Sequence, residues 1–195
     1  TRYISVTGVQ TCALPISGVV YIFVNGKMVG TTSSTQNFTQ NAVLIGSDGS
    51  NWTTGYLSNY RVIKGTGLYT SNFTPSTTPL TAVTNTQLLT CQSNRFLDNS
   101  TNAFSLTVGA GAPSVKTFSP FPATSAYAAS TNGGSGYFDG SGDYLSSSIS
   151  AIGTGDFTIE YWQYLNVLNS SGQPGDRKST RLNSSHTDIS RMPSS

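Results

Sequence analysis

The sequence predicts an all-β fold of short antiparallel strands, and three observations carry that prediction. Charged residues are only 9 % of the 195, aromatic residues reach 11 %, and Ser, Thr, Asn and Gly are abundant, a composition suited to strands joined by many turns. Asn25-Gly26 separates two β-prone runs, VVYIFV and KMVGTT. No stretch of helical length repeats its apolar residues every 3.6 positions.

Asn-Gly favours the type I′ turn because both central residues need positive φ, so the first pair of runs reads as a two-residue hairpin. AVLIGS (Ala42 to Ser47) and GYLSNYRVIKG (Gly55 to Gly65) follow as strands around the polar loop DGSNWTT. Strict alternation in the second places Tyr56, Ser58, Tyr60 and Val62 on one face and Leu57, Asn59, Arg61 and Ile63 on the other. In PSTTPLTAVTNT, from Pro75 to Thr86, proline and threonine replace the strand pattern and suggest a connection between modules. QLLTCQS, AFSLTV, SGYFDG, DYLSSS and DFTIEYWQYL are the later strand candidates, with Trp162 expected in the core. FSPFPATSAYAASTNGGSG reads as a long loop.

The two ends are a separate matter. TRYISVTGVQTCALPI, Thr1 to Ile16, can be written in codons whose reverse complement translates as DRKSTRLNSSHTDISR, identical to Asp176 to Arg191. One inverted DNA string encoding both ends resembles a short-read sequencing adapter with its sample index, so residues 1–16 and 176–195 are read as adapter-derived and set aside from fold reasoning. Their exclusion changes the charge. Of the ten basic residues, Arg2, Arg177, Lys178, Arg181 and Arg191 lie in the flanks; Lys27, Arg61, Lys64, Arg95 and Lys116 remain against Asp48, Asp98, Asp139, Asp143, Asp156 and Glu160, five against six, a net −1. That is no footprint for phosphate-neutralising nucleic-acid binding. The single histidine, His186, lies in the flank, so the remaining stretch offers no Ser-His-Asp or Cys-His triad and no His-based metal site. Cys91 stands without a disulfide partner there, and no apolar run approaches the roughly 18 to 20 residues of a membrane-inserted helix.

VYIFVNGKMVGT, GYLSNYRVIKGTGLYTSNFTPSTTPL, YFDGSGDYLS and GTGDFTIEYWQYL together resemble the laminin-G-like, concanavalin A-like jelly roll modules of phage virion proteins and microbial surface proteins. The order is inverted relative to that family. The resemblance therefore implies an incomplete antiparallel jelly roll sandwich in which 17–78 is the C-terminal part of one module, 79–85 a linker and 86–175 the N-terminal part of the next, with the central strands of the second module missing. It also implies a location on a virion or at the extracellular cell surface.

Three constellations are candidates for chemistry. Asp48, Asn51, Trp52 and Tyr56 gather around DGSNWTT, where an aromatic platform beside Asp and Asn suits a sugar; a tryptophan lid on the sandwich edge is the alternative. Asp139, Ser141 and Asp143 alternate in DGSGD as hard oxygen donors for Ca2+, or form a tight hairpin turn whose glycines supply unusual φ. Asp156 and Glu160 share one strand face, but at about 3.3 Å per residue they stand roughly 13 Å apart, too far for the carboxyl pair of a glycosidase; an exposed Glu on the strand is the other reading. The expectation is a non-enzymatic module, without catalytic residues, that binds a glycan or host surface and contacts neighbouring modules of its own chain. A purely structural spacer and, further off, a glycanase fragment are the alternatives.

Overall fold

The computed structural model describes residues 9–16, 18–121 and 128–166. Through them run β1 (Val9–Ile16), β2 (Val19–Val24), β3 (Lys27–Ser33), β4 (Ala42–Ile45), β5 (Thr54–Lys64), β6 (Thr86–Thr90), β7 (Leu106–Val108), β8 (Ser114–Lys116), one helical turn, α1 (Ala129–Asn132), then β9 (Ser135–Asp139), β10 (Leu145–Ser148) and β11 (Phe157–Leu165). The Asn25-Gly26 turn takes φ of 51° and 71°, as a type I′ hairpin requires. Among the described residues the fold is all-β apart from α1, and every strand pairing is antiparallel.

The strands form two sheets. The larger runs β3-β2-β1-β11-β5-β9-β8, with β6 also on β5; the smaller runs β4-β10-β7. Ile45 and Leu145 from the smaller sheet pack with Leu57, Tyr60, Val62, Leu88 and Phe138 from the larger into one buried cluster, so a shared apolar core holds the layers together. Phe138 is fully buried in it, and truncating such a residue to alanine costs about 3–5 kcal/mol.

β5 organises the larger sheet and departs from the alternation its sequence predicts. Opposite it, Glu160 pairs with Arg61 and Trp162 with Ser58, so two residues of β5 face the single Tyr161. Asn59 takes this bulge with φ of 52°. The extra residue returns Leu57 to the same face as Tyr60 and Val62 in the core, whereas strict alternation separates them. Before the bulge β5 pairs with β9; after it, with β6. The Asn59 side chain is fully buried: its Oδ1 accepts from Leu80 N and Gln92 Nε2, both at 2.8 Å, and its Nδ2 donates to Ser58 Oγ.

The outer face of this sheet carries a second correction. Glu160 is not an exposed strand residue but has 0 % exposure. Arg61, directly opposite it, donates through both Nε and Nη2 to Glu160 Oε1, while Arg61 Nη1 donates to Thr81 O and Tyr69 OH to Glu160 Oε2. These bonds pin residues 65–85 onto the sheet, and Phe23 of β2 packs edge-on to Tyr69 and Phe73 beside them. Residues 79–85, expected as a linker, thus supply Leu80 N and Thr81 O to buried partners on β5.

Residues 1–8 and 176–195 of the adapter-derived ends lie outside the described residues. Val9–Ile16 do not: Val9–Ala13 pair with β11 and Thr11–Ile16 with β2, which places β1 inside the sheet. Whatever the source of its codons, a β-prone run next to two open strand edges gains their hydrogen bonds. Deleting Thr1–Ile16 is expected to lower the melting temperature by more than a few degrees in a circular-dichroism melt. The β2–β3 hairpin should nevertheless stay docked, through Phe73 N on Gly26 O and Met28 N on Asn72 Oδ1. For the buried ion pair, Glu160→Gln leaves the Arg61 guanidinium charge uncompensated and is expected to cost about 3–5 kcal/mol in urea unfolding. The double variant R61M/E160L is expected to lose less than the single one.

Candidate functional site

The loop between β4 and β5 is held by its own polar groups. Asp48 Oδ1 accepts from Ser50 N and Asn51 N at 2.9 and 2.7 Å, and its Oδ2 accepts from Asn51 Nδ2 at 2.9 Å. The Asn51 amide, and then the backbone amides of Ser50 and Asn51, hold the Asp48 carboxyl below its ordinary value. Thr53 N closes the loop onto Gly46 O, and a bridge joins Ser47 to Trp52. Asp48 and Asn51 are therefore brought together, but they spend these hydrogen bonds on each other and on the turn.

Tyr56 belongs to a different surface. On the outer face of the larger sheet it stands in register with Tyr164 of β11 on one side and Tyr137 of β9 on the other. The three rings form a ladder across three adjacent strands, Tyr56 lying 5.0 Å from Tyr137 and 6.1 Å from Tyr164 between centroids. Phe118 leans on Tyr56 at 4.4 Å, and Lys116 Nζ lies 5.9 Å from the centre of the Tyr137 ring. Beneath runs a shallow depression lined by Tyr56, Phe118, Pro120, Ser135, Trp162 and Tyr164. Trp162 is buried as expected, packed edge-on against Phe121 on this face. The Ser135 hydroxyl is buried and has no hydrogen-bond partner among the described residues. Aromatic rings beside polar groups are what sugar rings stack on, and hydroxyls supply orientation. Tyr137, Tyr164, Phe118 and Ser135 were not candidates from sequence. The tyrosines in SGYFDG and WQYL were visible there, but only strand register brings them beside Tyr56.

The DGSGD segment is not a hairpin, because β9 lies in the larger sheet and β10 in the smaller. It is an arch between layers. Gly140 and Gly142 bend it with φ of 89° and 75°; Ser141 N donates to Asp139 Oδ1 and Asp139 N to Asp143 Oδ2. A Ca2+ ion takes six to eight oxygens. Asp139 and Asp143 instead turn oxygens into the arch's own amides, and no group of three or more His, Cys, Asp or Glu gathers among the described residues. Asp139 and Asp143 thus each commit one carboxylate oxygen to the arch itself. Asp143 is 2 % exposed and its Oδ1 is unpartnered among the described residues. Burial pushes its carboxyl above the ordinary value, with the Asp139 charge adding to the effect and the Asp139 backbone amide opposing it.

Asp156 lies just before β11, while Glu160 within it is engaged by Arg61 and Tyr69 on the outer face. Compared with protein-family models, curated proteins and solved structures, the chain matches none.

Asp143 generates a pH test. Its folded-state affinity for a proton exceeds the unfolded one, so its contribution to stability is greatest below the ordinary carboxyl value near 3.8 and falls as pH rises through the raised value. Asp143→Asn carries no charge to desolvate. The melting temperature of the variant relative to the parent is expected to rise from pH 4 to pH 7, and a difference constant across that range would remove burial as the cause.

Proposed function

We propose that this chain is a non-enzymatic glycan-binding module of a repetitive virion tail or cell-surface protein, with a concanavalin A-like jelly roll as its sandwich. The sequence resemblance supports the family and the location; the all-β architecture with two antiparallel sheets is consistent with it. The observation that carries the binding reading is the tyrosine ladder Tyr164–Tyr56–Tyr137, three rings in register across adjacent strands. Such a surface takes the apolar face of a pyranose ring by stacking and orients it through the tyrosine hydroxyls. The reading assigns no catalytic residue and no cofactor, and it keeps neighbouring modules of the same chain as partners. Asp48, Asn51 and Trp52 belong to the separate loop between β4 and β5 and are not part of this platform.

A purely structural spacer is the second reading. Phe118 favours it, because a ring 4.4 Å from Tyr56 fills part of the platform from within the chain.

Tyr164 separates the two, since at 38 % exposure it is the most open ring of the ladder. In affinity gel electrophoresis through laminarin, agarose and peptidoglycan, the chain is expected to be retarded by at least one polymer. Tyr164→Ala is expected to weaken that retardation by roughly tenfold, about 1.4 kcal/mol, with an unchanged melting temperature. Absence of retardation on all three polymers leaves the spacer.

A further inference from the structure

We propose that Phe118 is a displaceable lid on the tyrosine ladder, occupying from within the chain the stacking position that a sugar ring takes and swinging aside when one binds. The proposal rests on the glycan-binding reading of the ladder and adds how access to it is controlled. Phe118 lies against two of the three rungs. Its ring centroid is 4.4 Å from that of Tyr56 and 5.4 Å from that of Tyr164, with the planes inclined at 42° and 66°. Tyr56 and Tyr164 are themselves 6.1 Å apart, so a ring at these distances covers the surface on which a ligand would stack. The depression that Phe118 lines with Tyr56, Pro120, Ser135, Trp162 and Tyr164 holds about 10 Å3. That is room for about one water molecule, far below the roughly 300 Å3 at which ligand pockets begin. With Phe118 in place, this part of the platform is closed.

The chain around Phe118 lets the ring move. On one side β8 ends at Lys116, in register with Ser135 of β9. On the other, Ser119 Oγ donates to Asn132 O and accepts from Phe121 N, and Phe121 is buried against Trp162. Both flanks are therefore anchored. Between them, Thr117 and Phe118 make no hydrogen bond among the described residues, and the half-buried Phe118 ring is held by packing alone. Rotation about its Cα–Cβ bond to another staggered well takes the ring off the ladder without breaking a hydrogen bond or moving either anchor. Tilted and edge-on ring pairs of this kind favour the closed arrangement by roughly twofold to tenfold. A ligand that binds only the open arrangement loses affinity by the same factor.

The test compares the full chain with Phe118→Ala and Phe118→Tyr in affinity gel electrophoresis through laminarin, agarose and peptidoglycan. Phe118→Ala removes the competing ring and is expected to bind a retarding polymer roughly twofold to tenfold more tightly than the parent. Phe118→Tyr keeps a ring there and is expected to match the parent. A Phe118 that formed a wall of the ligand site would give the opposite sign for alanine. A second measurement needs no variant. In the parent, the nuclear Overhauser contact between the Phe118 and Tyr56 rings is expected to vanish on saturation with a hexasaccharide of laminarin or agarose, whichever polymer retards the chain, while the contact between Phe121 and Trp162 persists. Equal or weaker retardation of Phe118→Ala, a gain shared in full by Phe118→Tyr, or a Phe118–Tyr56 contact that survives saturation overturns the lid and leaves the platform reading standing. No retardation of parent or variant on any polymer removes both.

Discussion

The bulge at Asn59 is the constraint on which the larger sheet depends. A single residue held at φ of 52° lets β5 serve two different neighbours on one edge and present core residues on both sides of the break. Aspartate and asparagine tolerate this conformation better than most residues, and Asn59 adds what a glycine would not: a side chain whose three hydrogen bonds satisfy Leu80, Gln92 and Ser58 at the point where the ladder is interrupted. Because Tyr56 precedes the bulge and Arg61 follows it, the bulge also sets the faces of the tyrosine ladder and of the buried ion pair.

The strands themselves were legible because they are long enough to show period two, or because a turn residue marks their end, as Asn25-Gly26 does. β8 was not: three residues, Ser114–Lys116, carry no measurable alternation, and neither does the single turn α1. The faces of β5 beyond Asn59 are not legible in the alternation, since a bulge inserts one residue without any change in composition. Glu160 looked exposed because its compensating charge is 99 residues away along the chain and meets it only through register. The same reason hides the tyrosine ladder, whose members sit on three strands distant in sequence. The glycines of Asp139 to Asp143 mark a sharp bend without saying which sheet the chain enters next, so the arch is not legible there.

β1 separates two questions that a sequence joins, where a segment's codons come from and what its polypeptide does. Val9–Ile16 lies directly before VVYIFV, so the tight turn at Gly18, with φ of 79°, suffices to fold it back as an antiparallel partner. Pairing energy does not distinguish a selected strand from an accidental one.

Cys91 follows β6 with φ of 57°, its thiol 1 % exposed and pushed up to about 12 by burial. At neutral pH it is a thiol and not the thiolate that reacts with oxidants and alkylating agents. Its chemistry therefore waits for β6 to leave β5, and its rate of modification becomes a clock for that local opening. The sheet carries its own timer at the strand where its edge partner changes.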